Sequence, residues 1–301
     1  MRDDRVHRVA AVLALLVCTA SWGGAYVVAK GLVDRYDPLS VLAVRFCFGT
    51  AVLWALRPRA VALLPAPSRR HAVVIGVLLG AAQVPHYFGV RESTASAASF
   101  LIGTFVVMTP AVDWLLHRVR VTRTTAVGSA LALAGLALFA AGGTVSALGL
   151  ALCLGAAVMY ALQISTLGAW VPAGNLWGFT TVTMAAITVV VAVPALLRGL
   201  EVPAAPADWL RLLYLALVAG VLGVALQAWA QRRIAATQAA VILVMEPVWA
   251  TWLAVAFIDE PLTPQLVLGG AVLLLANLVV ARGSRPPAGR HPPEAPLVGG
   301  P

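Results

Sequence analysis

Charge is what this sequence has least of. Of its 301 residues only 11% are Asp, Glu, Lys or Arg, and 61% are hydrophobic. A water-soluble globule carries about 25% charged residues. A chain this poor in charge cannot cover a surface that faces water, so a soluble domain is excluded and the lipid bilayer is its solvent. Cysteine is almost as sparse. Cys18, Cys47 and Cys153 are odd in number, far apart and inside apolar stretches, which excludes a disulfide framework and a metal cluster. No GxxxxGK followed by Ser or Thr cradles a nucleotide phosphate. Neither HExxH nor a Ser-His-Asp grouping of workable spacing supplies a membrane enzyme's machinery. No cofactor and no metal are expected.

Long apolar runs fill the space left by charge. Stretches of about 18 to 24 residues, each long enough to cross a hydrocarbon core of roughly 30 Å, recur ten times. They lie at 9–29, 39–56, 72–90, 94–116, 124–141, 147–168, 176–197, 209–230, 236–257 and 263–281. Turn-forming segments such as "RPRAVALLPAPSRRH", "WVPAGN" and "RGLEVPAAPAD" separate them. The first run follows "MRDDRVHR" and continues through "SWGGAYVVAK" with no convincing cleavage site, so it is expected to stay as a span. The tail "RGSRPPAGRHPPEAPLVGGP" is Pro- and Gly-rich and is expected to be disordered.

The net charge of +9 is unevenly spread. With ten spans and an inner N-terminus, the arginines at 2–8, 57–70, 118–123, 232–233 and 282–290 fall inside, and only Lys30, Arg35, Arg91, Arg198 and Arg211 fall outside. Cytoplasmic loops retain basic residues, so both termini are expected in the cytoplasm of a cell-membrane protein. Arginines at span ends argue topology, and no nucleic-acid partner is expected.

The second half repeats the first at an offset of about 141 residues. Val121 to Ala141 lies over Leu262 to Arg282, and His86 lies over Gln227. Near the start of each half the offset is about 138, where Trp22 meets Tyr160 and Asp37 meets Asn175. Five spans per half is odd, so the second half enters the membrane from the opposite face. The loop charges follow: "HRVRVTR" after the fourth span is basic, and "IDEPLTP" after the ninth carries Asp259 and Glu260. The expected fold is an all-α integral membrane protein of ten transmembrane helices in two inverted five-helix repeats. Its units are 1–141, 142–282 and a cytoplasmic tail, 283–301.

The string "TQAAVILVMEPVWATWLAVAFIDEPLTPQLVLGGAVLLLANLVV" resembles the C-terminal signature of EamA-type transporters in the drug/metabolite transporter superfamily, and "SWGGAYVVAKG" and "DPLSVLAVRF" resemble the first two helices of that family. The resemblance covers residues 9 to 281. It implies a secondary transporter of metabolites or drugs, more often an exporter. The first half departs from the pattern: Phe105 stands where Glu246 would match, and Pro110 lies one helical turn past the place of Pro247. Carboxylate chemistry at the Glu-Pro pair therefore rests on the second half alone.

Buried ionisable groups mark the candidate site, because a charge at the bilayer centre costs at least about 2.5 kcal/mol. Glu246, at mid-span beside the helix-kinking Pro247, could exchange a proton for a cationic substrate group, or serve as a structural hydrogen-bonding group. Arg45 could pair with an acid or bind an anionic substrate group. Asp113, close to His117 and Arg118, reads as a solvated salt bridge, and Lys30 and Arg35 as interfacial side chains that reach for water. Trp22 and Tyr26 share a helix face, as do Gln83 and Tyr87 beside His86, and Tyr160 with Gln163. With Gln227, these give a pocket for a polar small molecule its polar groups amid aliphatics. His86 follows Pro85 and either bonds a freed carbonyl or relays protons. Gly76 and Gly80, and the stripe Gly128, Ala132 and Gly135, mark close helix contacts that serve the chain's own packing or a homodimer.

Three functions compete on this reading. The first is a secondary transporter of small metabolites working by alternating access, with amino acids or their analogues favoured, and hydrophobic cationic drugs as the alternative. The second is an integral-membrane enzyme. The third is a membrane scaffold.

Overall fold

The computed structural model describes residues 2–118, 123–141, 145–172, 174–231, 233, 242–243 and 245–283. Every regular element among them is helical. In chain order they are α1 (Arg2–Val33), α2 (Pro38–Leu56), α3 (Pro58–Ala62), α4 (Ala66–Arg91), α5 (Ala95–Gly103), α6 (Phe105–His117), α7 (Arg123–Ala141), α8 (Ala147–Trp170), α9 (Leu176–Arg198), α10 (Pro206–Leu213), a π-helical stretch Tyr214–Leu222, α11 (Gly223–Gln231), α12 (Glu246–Ile258) and α13 (Pro264–Gly283). The tail beyond Gly283 lies outside the described residues.

Local sequence explains where the helices start. Asp37, Thr94, Ser146 and Asn175 cap α2, α5, α8 and α9, each side chain accepting a backbone N–H of the first turn. Asp37 and Asn175 are a repeat-matched pair, and they hold the same position before their helices. Among the described residues, seven helical stretches are long and apolar enough to cross a membrane. Three shorter apolar stretches, Ala126–Leu138, Glu246–Ile258 and Pro264–Val280, overlap the remaining expected segments in part.

The expected span 94–116 is not one continuous helix. It breaks at Thr104, whose N–H and hydroxyl both turn back to the Leu101 carbonyl, at 3.3 Å and 2.5 Å, tightening the turn. The repeat-related ninth segment starts anew at Glu246, so α6 and α12 begin 141 residues apart and are 13 residues each. Both end at a non-glycine residue in the left-handed region, Arg118 at φ 55° and Asp259 at φ 52°.

Loop contacts sort the helix ends into two groups. At one end, Arg35 and Asp37 meet Asp208 and Glu201, Ser146 N–H donates to the Glu92 carbonyl, and Glu260 accepts from the Ser96 N–H. At the other, Asn175 donates to the Ala60 carbonyl and Trp177 to that of Leu53. Chain ends of successive helices therefore alternate across the bundle. The two expected interfacial side chains also form ion pairs at the first end: Lys30 with Asp34 at 2.8 Å, and Arg35 with the buried Asp208 through both terminal nitrogens at 2.9 and 2.6 Å. Arg211 and the Tyr36 hydroxyl complete that cluster. The bond to Asp208 raises the Tyr36 pKa above its ordinary value of 10, since the phenol must donate to keep it.

Small residues set the packing within the chain. Gly128 and Gly135 on α7 face Ala276, Val280 and Leu273 of α13, so this stripe is used intramolecularly. On α4, a Cβ added at Gly76 would lie 2.5 Å from the Thr183 carbonyl oxygen and 2.6 Å from the Ala186 Cβ of α9. Neither neighbour is a flexible side-chain end. Gly76→Leu is therefore expected to lower stability by about 1–3 kcal/mol or more, seen as earlier thermal unfolding of the purified protein, whereas Ala substitution at Gly31, which faces open space, leaves unfolding unchanged.

Candidate functional site

A cavity of about 90 Å³ lies where α1, α2, α4, α5, α6, α8, the π-helical stretch, α11 and α12 converge. Trp22, Tyr26, Arg45, His86, Tyr87, Tyr160, Gln163, Gln227 and Glu246 all contribute to its wall. The i, i+4 and i, i+3 pairings visible in the sequence set these side chains on inward faces, and packing of the helices brings the faces together. Repeat-matched residues meet here: Trp22 with Tyr160, His86 with Gln227, and Phe105 with Glu246. A water needs roughly 10–15 Å³ by this measure, so the cavity has room for several waters or one small solute.

Arg45 is the cationic side of the site. It is only 5% exposed. Its guanidinium donates to the Tyr87 hydroxyl and lies 4.6 Å from the Phe46 ring centre. Its Nε has no hydrogen-bond partner, and among the described residues it forms no salt bridge. Of the two roles open to it from the sequence, the structural ion pair is absent among those residues. A buried guanidinium in a cavity wall, with no acidic partner among the described residues, is chemically a receptor for an anion.

Glu246 is the acidic side. It is 9% exposed, and the Tyr26 hydroxyl interacts with its carboxyl group. Pro247 does not kink a continuous helix here. It occupies the first turn of α12, where its missing N–H has no intrahelical partner to lose. Glu246 thus stands at the N-terminus of α12, with its carboxyl group at the cavity. Pro110, by contrast, sits in the interior of α6, and the interruption falls at Thr104, whose turn breaks the helix before proline is reached.

Between these poles runs an aromatic and imidazole surface. His86 Nδ1 bonds the Tyr160 hydroxyl at 2.8 Å, so the imidazole takes a side-chain partner and not a carbonyl freed by Pro85. The Tyr26 and His86 rings are 5.0 Å apart. Asp113 and His117 have side chains outside the described residues, and their expected salt bridge is not assigned.

Other wall residues carried weaker signals. Gln83, on the Tyr87 face of α4, points a buried Oε1 with no partner. Phe46 and Phe105 look like ordinary lipid-facing residues in an apolar run. Ala219 and Gly220 enter through the π-helical stretch, whose widened turns leave the Ala219 carbonyl to accept the Trp22 indole N–H at 2.8 Å. No sequence pattern in "YLALVAGVL" marks this stretch.

The EamA-like transporter family model matches the chain twice, over residues 9–141 and 147–282. A protein of Archaeoglobus fulgidus described as an uncharacterized transporter is 27% identical over 278 residues, 92% of this chain and 88% of that one. A solved crystal structure superposes with a TM-score of 0.62 at 18% identity, covering 90% of this chain and 97% of its own, a likeness of fold alone. With both halves matched by the same family model, this multi-pass membrane protein belongs to the EamA-like transporter family and is a transporter.

Proposed function

We propose that this transporter exports small zwitterionic metabolites, amino acids or their analogues, by alternating access between two inverted five-helix repeats, with protons as the counter-ion. The observation that carries the reading is the meeting of a buried guanidinium and a buried carboxyl group in one small cavity: Arg45, with no salt bridge among the described residues, and Glu246 at a helix start. A carboxylate on Arg45 and an ammonium at Glu246 would satisfy both. When the substrate leaves, a proton takes the ammonium's place on Glu246, and this exclusive occupancy couples the two fluxes. The broken fourth and ninth segments suit the role, since transporter sites form where interrupted helices meet near the midplane. Arg35 and Asp208 join α1 to α10 at what is read as the outer end, a tie that alternating access must open. The arginine-rich loops support cytoplasmic termini, and the two family matches support repeats at 1–141 and 142–282.

Efflux of hydrophobic cations is the second reading, favoured by the aromatic wall of Trp22, Tyr26, Phe46, Phe105 and Tyr160 around Glu246. It leaves Arg45 without a task. A growth-protection panel in a sensitive bacterial host separates the readings: expression is expected to protect against toxic amino-acid analogues. Protection confined to lipophilic cations would select the second reading.

A further inference from the structure

A second cleft, of about 490 Å³, opens at the opposite end of the bundle from the Arg35–Asp208 cluster, between α3 and the start of α9. Arg57, Arg59, Asn175 and Trp177 supply its polar and aromatic wall. The scaffold around the arginines is already satisfied. Asn175 donates to the Ala60 carbonyl at 2.6 Å and accepts from the Gly178 N–H at 2.9 Å, and the Trp177 indole donates to the Leu53 carbonyl at 3.0 Å. Arg57 lies over the Trp177 ring, 5.0 Å from its centre.

Among the described residues the two guanidinium groups make no such hydrogen bond. Neither forms a salt bridge among the described residues, and the segments that build the cleft, 38–91 and 171–200, contain no Asp or Glu. The surface beside the arginines is apolar and outward-facing: Trp54, Leu56 and Leu63 are 58%, 65% and 75% exposed. Free cations beside a fixed tryptophan, bordered by exposed aliphatics, match the division of a lipid into headgroup and acyl chains.

We propose that this cleft binds the phosphate headgroup of an anionic phospholipid, with the acyl chains lying along Trp54, Leu56 and Leu63. By the distribution of basic loops it belongs to the cytoplasmic leaflet. The site is separate from the transport cavity and stands whether or not the substrate assignment does.

Native mass spectrometry of the detergent-purified full chain, titrated with phosphatidylglycerol or phosphatidylcholine, tests it. Phosphatidylglycerol adducts should form in preference, and Arg57→Gln/Arg59→Gln should weaken them roughly thirtyfold, because two cations that face one headgroup are removed together. Arg69→Gln/Arg70→Gln, near the start of α4 and outside the cleft, should leave them unchanged. The thermal stabilisation given by phosphatidylglycerol should vanish in the first double variant while its unfolding in phosphatidylcholine matches wild type. Equal binding of the two lipids, or an unaffected Arg57→Gln/Arg59→Gln variant, would overturn the proposal. So would displacement of the lipid by inorganic phosphate at equal concentration, which would reassign the cleft to a soluble anion.

Discussion

Replacing Glu246 with Gln is expected to lower transport by roughly ten- to hundredfold, the loss that follows when a charged hydrogen-bond partner is removed. It is also expected to flatten the response to an imposed proton gradient. Glutamine keeps the shape of the side chain and an acceptor for the Tyr26 hydroxyl, so the start of α12 and membrane insertion persist. What disappears is the group able to hold either a proton or a substrate ammonium. Substrate efflux from loaded vesicles, compared at several inward proton gradients and at matched protein abundance, checks this. An unchanged rate and an unchanged pH response in the variant would remove Glu246 from the coupling role.

The second large effect is expected at Arg45. Arg45→Ala should abolish most flux of amino acids, again by roughly ten- to hundredfold, and leave any flux of lipophilic cations close to wild type. The substitution also leaves the buried Tyr87 hydroxyl without its donor, an expected stability cost of about 1–3 kcal/mol. Arg45→Lys separates the two consequences: it keeps a cation in the cavity wall but not the planar fork that grips a carboxylate. Partial recovery of amino-acid affinity in the Lys variant indicates charge recognition. Equal loss for amino acids and cations in properly inserted Arg45→Ala would mean that Arg45 only shapes the cavity.

Much of this site is legible in the amino-acid sequence, for a physical reason. In lipid, a polar or ionisable residue is costly wherever it faces the acyl chains, so Arg45, His86, Gln163, Gln227 and Glu246 have to point inward. Their i, i+3 and i, i+4 aromatic neighbours then point with them. The repeat pairing carries the rest, since residues matched across the two halves, such as His86 and Gln227, meet in the cavity.

What stays hidden depends on backbone geometry or on distant partners. The break at Thr104 lies in the mainly apolar run "FLIGTFVVM", and Pro110 draws attention to the wrong turn. The π-helical stretch Tyr214–Leu222 consists of aliphatic residues with one Tyr and one Gly, and an α-helix would look the same in sequence. Arg35 and Asp208 are 173 residues apart, so an ion pair between them needs the fold to be known. The same holds for Glu260, which reads as part of an exposed acidic turn and instead caps α5 through the Ser96 N–H, 164 residues away.

The most direct test is counterflow in proteoliposomes holding the purified protein, preloaded with unlabelled amino acid and exposed to trace labelled amino acid outside. The account predicts transient, saturable accumulation of label by wild type, strongly reduced in both Arg45→Ala and Glu246→Gln. Absence of amino-acid counterflow in wild-type vesicles that do exchange a lipophilic cation would contradict it.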